Sequence, residues 1–199
     1  MARIFIVLGK SATGKDTIFK HLLENPELYL KTVIMYTTRP IRVNETEGVE
    51  YHFVDEGRLE ELKEQKKVIE HRAYNTVLGK WHYFTVDDGQ IDLEHNDYLM
   101  HGTLESYEQI KKYFGADKVV PIYIEVEDGI RLLRAMKREQ KQEQPRYAEL
   151  CRRFLADEED FSEENIRAAG IINRYQNQDL GICLNEIETD IKNYTVKSP

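Results

Sequence analysis

The constraint that most limits the fold lies near the start of the chain. The apolar run IFIVL is followed at once by GKSATGKDT, Gly9 to Thr17, and then by the amphipathic stretch IFKHLLE. An apolar run this short, bounded by glycine, reads as a buried strand. Asn25-Pro26 stops the helix that follows. Gly9 and Gly14 let the loop between them curl so that successive N–H groups point inward, and the helix start at Lys15 adds its positive end. Such a loop cradles phosphates, with Lys15 as a point charge on the outer ones. The spacing fits G-x-x-x-x-G-K-[ST] except that Asp16 stands where a hydroxyl is expected. On this reading Gly9, Lys10, Ser11, Ala12, Thr13, Gly14, Lys15, Asp16 and Thr17 line an ATP site.

Beyond the loop, strand and helix patterns alternate. KTVIMYTT reads as a strand, VEYHFV as another, and DEGRLEELKEQKK as a polar helix with Leu59 and Leu62 inward. VIEHRAY and WHYFTV read as a hairpin turning at Gly79. DYLMHG, LESYEQIKKYF and KVVPIYIEV give strand, helix, strand. Helices are expected over 127–140 and 147–168, GIIN as a short strand, and a closing helix in DLGICLNEIETDIKNY. The expectation is an α/β P-loop three-layer sandwich with a parallel sheet core, an inserted small antiparallel lobe over about 37–87 and a helical lid over about 134–153. The core takes 1–36, 88–133 and 154–199 of one domain.

With 199 residues, 41% of them hydrophobic, the chain suffices for one core. Its formal charge of -8 argues against bulk nucleic-acid or membrane-surface binding. No apolar run approaches the ~20 residues of a membrane span, and no signal-peptide pattern opens the sequence. Cys151 and Cys183 lack metal-ligand spacing, and two free thiols suit a reducing compartment. We expect a cytoplasmic protein, a monomer or homodimer, acting on small molecules. None of the six histidines forms an H-x-H or H-x-x-x-H pair.

Two further regions carry chemistry. In TTRPIR, Pro40 stiffens a loop that offers the guanidiniums of Arg39 and Arg42 to a second phosphate. Between Arg131 and Arg153 eight basic residues face three glutamates, a positive segment in an acidic protein. Phosphoryl transfer needs positive groups around the migrating phosphoryl, and a lid can bring them in while excluding water.

The run TTRPIRVNETEGVEYHF closely resembles the guanylate kinase family, whose pattern is T-T-R-x-x-R-x-x-E-x-x-G-x-x-Y-x-F. Thr37, Thr38, Arg39, Arg42, Glu45, Gly48, Tyr51 and Phe53 match it at that spacing. VIEHRAY, LLRAMKR, RRFLADEEDF and IIN extend the resemblance, which also implies that Asn173, in GIIN, joins the ATP site from a late strand. It implies transfer of the γ-phosphate of ATP to GMP with Mg2+. It places Arg39, Arg42, Tyr51 and, allowing an insertion near Gly79, Tyr83 on the acceptor phosphate. Glu70 would accept from the guanine N1 and N2 edge, with Thr85 near the base. Lys15, Arg39, Arg134, Arg138 and Arg153 would serve the transfer, with Arg152 a partner of Arg153. Two departures stand out. Met35 occupies the place of a serine that donates to the guanine O6. HGTLES replaces D-x-D-x-Q-G, so His101 and Thr103 stand where the family has aspartates. A hard-ligand role for Asp16 on magnesium would compensate; the alternative is that Asp16 favours the helix start and Thr103 caps the next helix. A kinase of the same build with another phosphorylated acceptor, or a non-catalytic module gripping phospho-ligands, are the rival readings.

Overall fold

The computed structural model describes residues 2–76 and 79–196. The core is a five-stranded, wholly parallel sheet built from β1 (Ile4–Leu8), β2 (Lys31–Thr32), β7 (Tyr98–His101), β8 (Val119–Glu125) and β9 (Arg174–Gln176), in the order β2-β7-β1-β8-β9. The central strand is fully buried and its side chains alternate between two apolar layers. Ile4, Ile6 and Leu8 pack with Leu104, Tyr107 and Ile110 of α3 (Leu104–Phe114) and with Ile166 of α6 (Glu163–Ala168). Phe5 and Val7 pack with Ile18 and Leu22 of α1 (Lys15–Glu24) and with Cys183, Ile187 and Ile191 of α7 (Leu180–Val196). This is the expected three-layer α/β arrangement. Among the described residues no helix is long and apolar enough to cross a membrane.

A second sheet has the order β4-β3-β6-β5, from β3 (Tyr36–Thr37), β4 (His52–Phe53), β5 (Val68–Thr76) and β6 (Gly79–Val86). It is mixed rather than wholly antiparallel: β3 pairs with β4 in parallel and with β6 antiparallel, and β5 with β6 antiparallel. Leu59 and Leu62 of α2 (Glu56–Glu64) bury against Phe84 and Val86. Gly79, expected at the turn, instead opens β6 and pairs with Thr76, and residues 77–78 lie outside the described residues. Gln109 of α3 accepts from the His71 N–H at 3.0 Å and donates to its carbonyl at 3.3 Å, extending the hydrogen-bonding of β5 and tying the two sheets together.

KTVIMYTT departs from expectation. It contributes β2 to the core sheet and β3 to the second sheet, with a crossing between them. At the crossing the Ile34 backbone is satisfied by the Gln90 side chain, which accepts from its N–H at 2.9 Å and donates to its carbonyl at 3.2 Å. VEYHFV yields only the two residues of β4, and the last strand lies at Arg174–Gln176, beyond GIIN. The helix expected over 147–168 breaks at Phe161-Ser162 into α5 (Tyr147–Asp160) and α6, because the Ser162 hydroxyl accepts from the Asn165 N–H and starts a new helix. With α4 (Asp128–Glu139), α5 forms a helical pair; α5 has no buried residue.

Candidate active site

The loop from Gly9 to Gly14 is fixed through its carbonyls, two of them from outside the loop and one from within it. The Thr13 carbonyl accepts from Asn177 Nδ2 at 2.8 Å, the Ser11 carbonyl from Arg131 at 3.1 Å, and the Lys10 carbonyl from Thr13 Oγ1 at 2.9 Å. Because each peptide is planar and trans, the Ser11 and Thr13 carbonyls held outward turn the N–H groups of Ala12 and Gly14 the other way, as a phosphate cradle requires, whereas the Ser11 N–H is taken by Asp157. Gly14 has φ +88° and a Cβ there would stand 2.5 Å from Asn177 Nδ2; at Gly9, with φ +148°, it would stand 2.4 Å from the Ile124 carbonyl. Only glycine fits either place.

Lys15 opens α1 beneath this loop. Burial lowers its pKa, aided by the positive charges of Arg153 and Arg138 and opposed by Asp16 and Asp157. Lys15 thus sits in a field of both signs, two carboxylates and two guanidiniums. Arg138, Arg146, Arg153 and Phe154 line, with Ser11, a cavity of about 160 Å3 between the loop and the α4–α5 pair. Arg153 also reaches Ser11 Oγ at 3.4 Å, whereas Arg134 donates to the Asn177 carbonyl at 2.9 Å. Lys10 faces away from a free role, bound to Glu158 at 2.7 Å.

Sequence reasoning missed three residues here. Arg131 is 1% exposed and joins Asp128, Asp157 and Glu158 beneath the ring of Phe154, so it holds the helical pair to the loop. Asp157 accepts from the Ser11 N–H at 2.8 Å. Asn177, not Asn173, is the asparagine at the loop: Asn173 is exposed, three residues before β9 ends, while Asn177 is 4% exposed just after it. The Asn-x-x-x-Asn spacing in NRYQN carried no signal to choose between them.

Asp16 and Thr17 are exposed on the first turn of α1. His101, stacked on Phe19 at 3.8 Å between ring centres, feels both Asp16 and Lys15; burial lowers its pKa. Thr103 is the N-cap of α3, accepting from the Ser106 N–H at 3.2 Å while its own N–H donates to Ser106 Oγ at 2.9 Å. The capping reading of Thr103 is therefore what its contacts show. Asp92, Glu94 and His95 are the three-residue group of metal-ligating type among the described residues, and all are exposed. The loop offers a single carboxylate, Asp16, which matches what a Mg2+ largely held by phosphate oxygens and water requires.

The second sheet gathers the other predicted residues. Thr37 Oγ1 donates to the His82 carbonyl at 2.9 Å and accepts from the Arg39 N–H at 3.1 Å, and Thr38 pairs with the His82 backbone. The two threonines thereby aim Arg39. Its guanidinium is 3% exposed, bidentate to Glu45 at 2.9 and 2.7 Å, and 5.6 Å from the ring centres of Tyr51 and Phe53. Tyr83 meets Tyr51 edge-on at 5.7 Å. Burial raises the Tyr51 pKa, so its hydroxyl stays a donor. Arg42 is exposed, and its N–H donates to Glu45 at 2.9 Å. Glu70 is 1% exposed, accepting from Thr85 Oγ1 at 3.0 Å and from Arg72.

The guanylate kinase family model matches residues 1–162. A guanylate kinase of Mycoplasma genitalium is 39% identical over 82 residues, 41% of this chain, and the match spans only 32% of that relative's length. A guanylate kinase of Porphyromonas gingivalis is 28% identical over 200 residues, covering 99% of this chain and 100% of the relative. The crystal structure of guanylate kinase from Anaplasma phagocytophilum superposes with a TM-score of 0.65 at 20% identity, covering 99% of this chain and 88% of that one; at this identity the likeness bears on the fold. A glycine loop braced by Asn177, an arginine loop aimed by paired threonines and a family match over most of the residues agree: this chain belongs to the guanylate kinase family.

Proposed function

We propose that the protein transfers the γ-phosphoryl group of ATP to GMP, giving ADP and GDP. The observation that carries this reading is the glycine loop itself, open at Gly9 and Gly14 and facing a cavity lined by Arg138 and Arg153, with Lys15 opening the helix beneath it. Burial, with a smaller contribution from the two arginines, lowers the Lys15 pKa, and an entering polyanion would offset that cost. Residues 9–17 hold the ATP phosphates, with Asn177 keeping the loop in shape. Arg39, Arg42, Tyr51 and Tyr83 hold the acceptor phosphate, and Glu70 and Thr85 take the base. The second sheet thus acts as the acceptor lobe and the α4–α5 pair as the lid.

The transfer needs no covalent intermediate on the protein. Lys15 and the lid arginines Arg134, Arg138 and Arg153 stabilise charge on the migrating group, and Arg39 keeps the acceptor oxygen in line. Arg134 exchanges its contact with the Asn177 carbonyl for phosphate as the lid closes. Asp16 is the residue that would hold a Mg2+ bound with ATP, and the ion would supply neutralisation of phosphate charge. We place the protein in the cytoplasm on its two free thiols, Cys151 and Cys183.

Incubation with ATP labelled in the γ-phosphate, Mg2+ and GMP tests the reaction. Label is expected in the β-phosphate of GDP. Label released only as inorganic phosphate, at a rate indifferent to GMP, would refute it.

A further inference from the structure

Glu70 and Arg72 lie two residues apart on β5, so their side chains share one face of the strand. Both are buried, at 1% and 8% exposure. Arg72 Nε donates to Glu70 Oε2 at 3.0 Å. Its NH2 group makes longer contacts, 3.3 Å to Glu70 Oε1 and 3.6 Å to the Met35 sulfur. Thr85 Oγ1 donates to the same Oε1 at 3.0 Å. A thioether is a weak acceptor, so a charged donor aimed at Met35 gains little there. A buried ion pair of this kind contributes little net stability over apolar packing. Arg72 is therefore poorly explained as a stabilising residue alone.

We propose that Arg72 determines acceptor specificity: its NH2 group moves from the Met35 sulfur to donate to the 6-oxygen of guanine while Glu70 accepts from N1–H and the 2-amino group. The inference rests on the GMP reading above. Guanine's pairing edge presents one acceptor beside two donors, and a carboxylate flanked by a guanidinium is its complement. In duplex DNA arginine also donates to the guanine 6-oxygen, there together with N7 on the major-groove edge, which shows how well a guanidinium suits that acceptor. Release of Oε1 by NH2 opens an acceptor position for the base at the moment the base arrives. Neither neighbour can substitute: Met35 has no donor, and the Thr85 hydroxyl already donates to Glu70. Adenine would set its 6-amino donor against the guanidinium donors, leaving both unpaired.

The test compares kcat/KM for GMP, IMP and 6-thio-GMP in the unaltered protein, Arg72→Met and Arg72→Lys. IMP keeps the 6-oxygen and N1–H but lacks the 2-amino group; 6-thio-GMP keeps both donors and replaces the oxygen with a weak acceptor. Arg72→Met should lower kcat/KM for GMP and IMP by about 10- to 100-fold and for 6-thio-GMP by less than about threefold, as expected when one charge-assisted bond is lost. Arg72→Lys, which leaves Glu70 a counter-ion if the methionine variant does not fold, should narrow the GMP to 6-thio-GMP ratio in the same direction. An equal fall for all three acceptors, in whichever variant folds, would overturn the proposal and leave Arg72 a structural partner of Glu70. Failure of the unaltered protein to phosphorylate GMP, with turnover of another acceptor, would instead overturn the GMP reading on which the proposal rests.

Discussion

Asn177 gives the sharpest separation between a braced phosphate loop and an incidental contact. Its Nδ2 donates to the Thr13 carbonyl at 2.8 Å in a site where Asn177 is 4% exposed and Thr13 1% exposed. Asn177→Ala leaves that carbonyl buried without this donor, at a cost of about 1–3 kcal/mol. For a chain of this size each kcal/mol lowers the melting temperature by roughly 2–4 °C, so a loss of about 2 kcal/mol should appear as about 4–8 °C. Asn177→Asp should cost at least as much, since it sets a carboxylate oxygen against the carbonyl. The loosened loop should raise the ATP KM by about tenfold, near the 1.4 kcal/mol that a factor of ten represents, with the GMP KM within about twofold. Asn173→Ala, at an exposed position, should stay within about 0.5 kcal/mol of the parent. Thermal melts and initial rates on the four proteins decide the matter. Equal effects at 173 and 177, or an ATP KM untouched by Asn177→Ala, would refute the bracing argument.

Arg39→Ala should raise the GMP KM and lower kcat, a combined loss of about 10- to 150-fold from a charge-assisted contact of roughly 1.5–3 kcal/mol, with ATP binding spared; equal loss of ATP affinity in titration calorimetry would contradict separate sites. Asp16→Ser should raise the Mg2+ concentration for half-maximal rate by about tenfold, and an unchanged Mg2+ dependence would assign Asp16 to the helix start alone. His71 bonds His82 at 2.7 Å, and burial, with Lys63, His82 and Lys80 nearby, pushes its pKa down to about 4. The folded state thus binds fewer protons than the unfolded one. Stability from this site is full above the ordinary value near 6.5 and falls as pH drops from there toward 4. His71→Gln should flatten that part of the urea-midpoint profile against pH; an unchanged slope would mean that other groups set it.

Elements set by local pattern were legible: the first strand, the glycine loop, α1, α3 and α7 follow from apolar period and from punctuation by glycine, asparagine and proline. KTVIMYTT was not, because its apolar run is continuous while its backbone partners are not. Gln90, which satisfies Ile34, lies 56 residues away. The same holds in the site. Arg39 and Arg42 stood out by spacing, yet Glu45, the carboxylate that Arg39 grips in bidentate fashion, was visible only as a pattern letter until the loop closed around it. Arg131 read as one more charge on a basic helix; its burial comes from Asp157 and Glu158, brought back by α5. Arg72 was silent because a strand arginine facing a glutamate two residues away has no signature apart from burial.

The acceptor panel tests the central claim most directly. ADP release is measured with ATP and Mg2+ against GMP, dGMP, AMP, CMP and UMP, with a no-acceptor control. The account predicts release that depends on acceptor, with kcat/KM for GMP above AMP, CMP and UMP by at least about 100-fold, since the base edge is read by buried hydrogen-bonding groups. Release no faster with any monophosphate than without one, or turnover of another base with GMP inert, would contradict it.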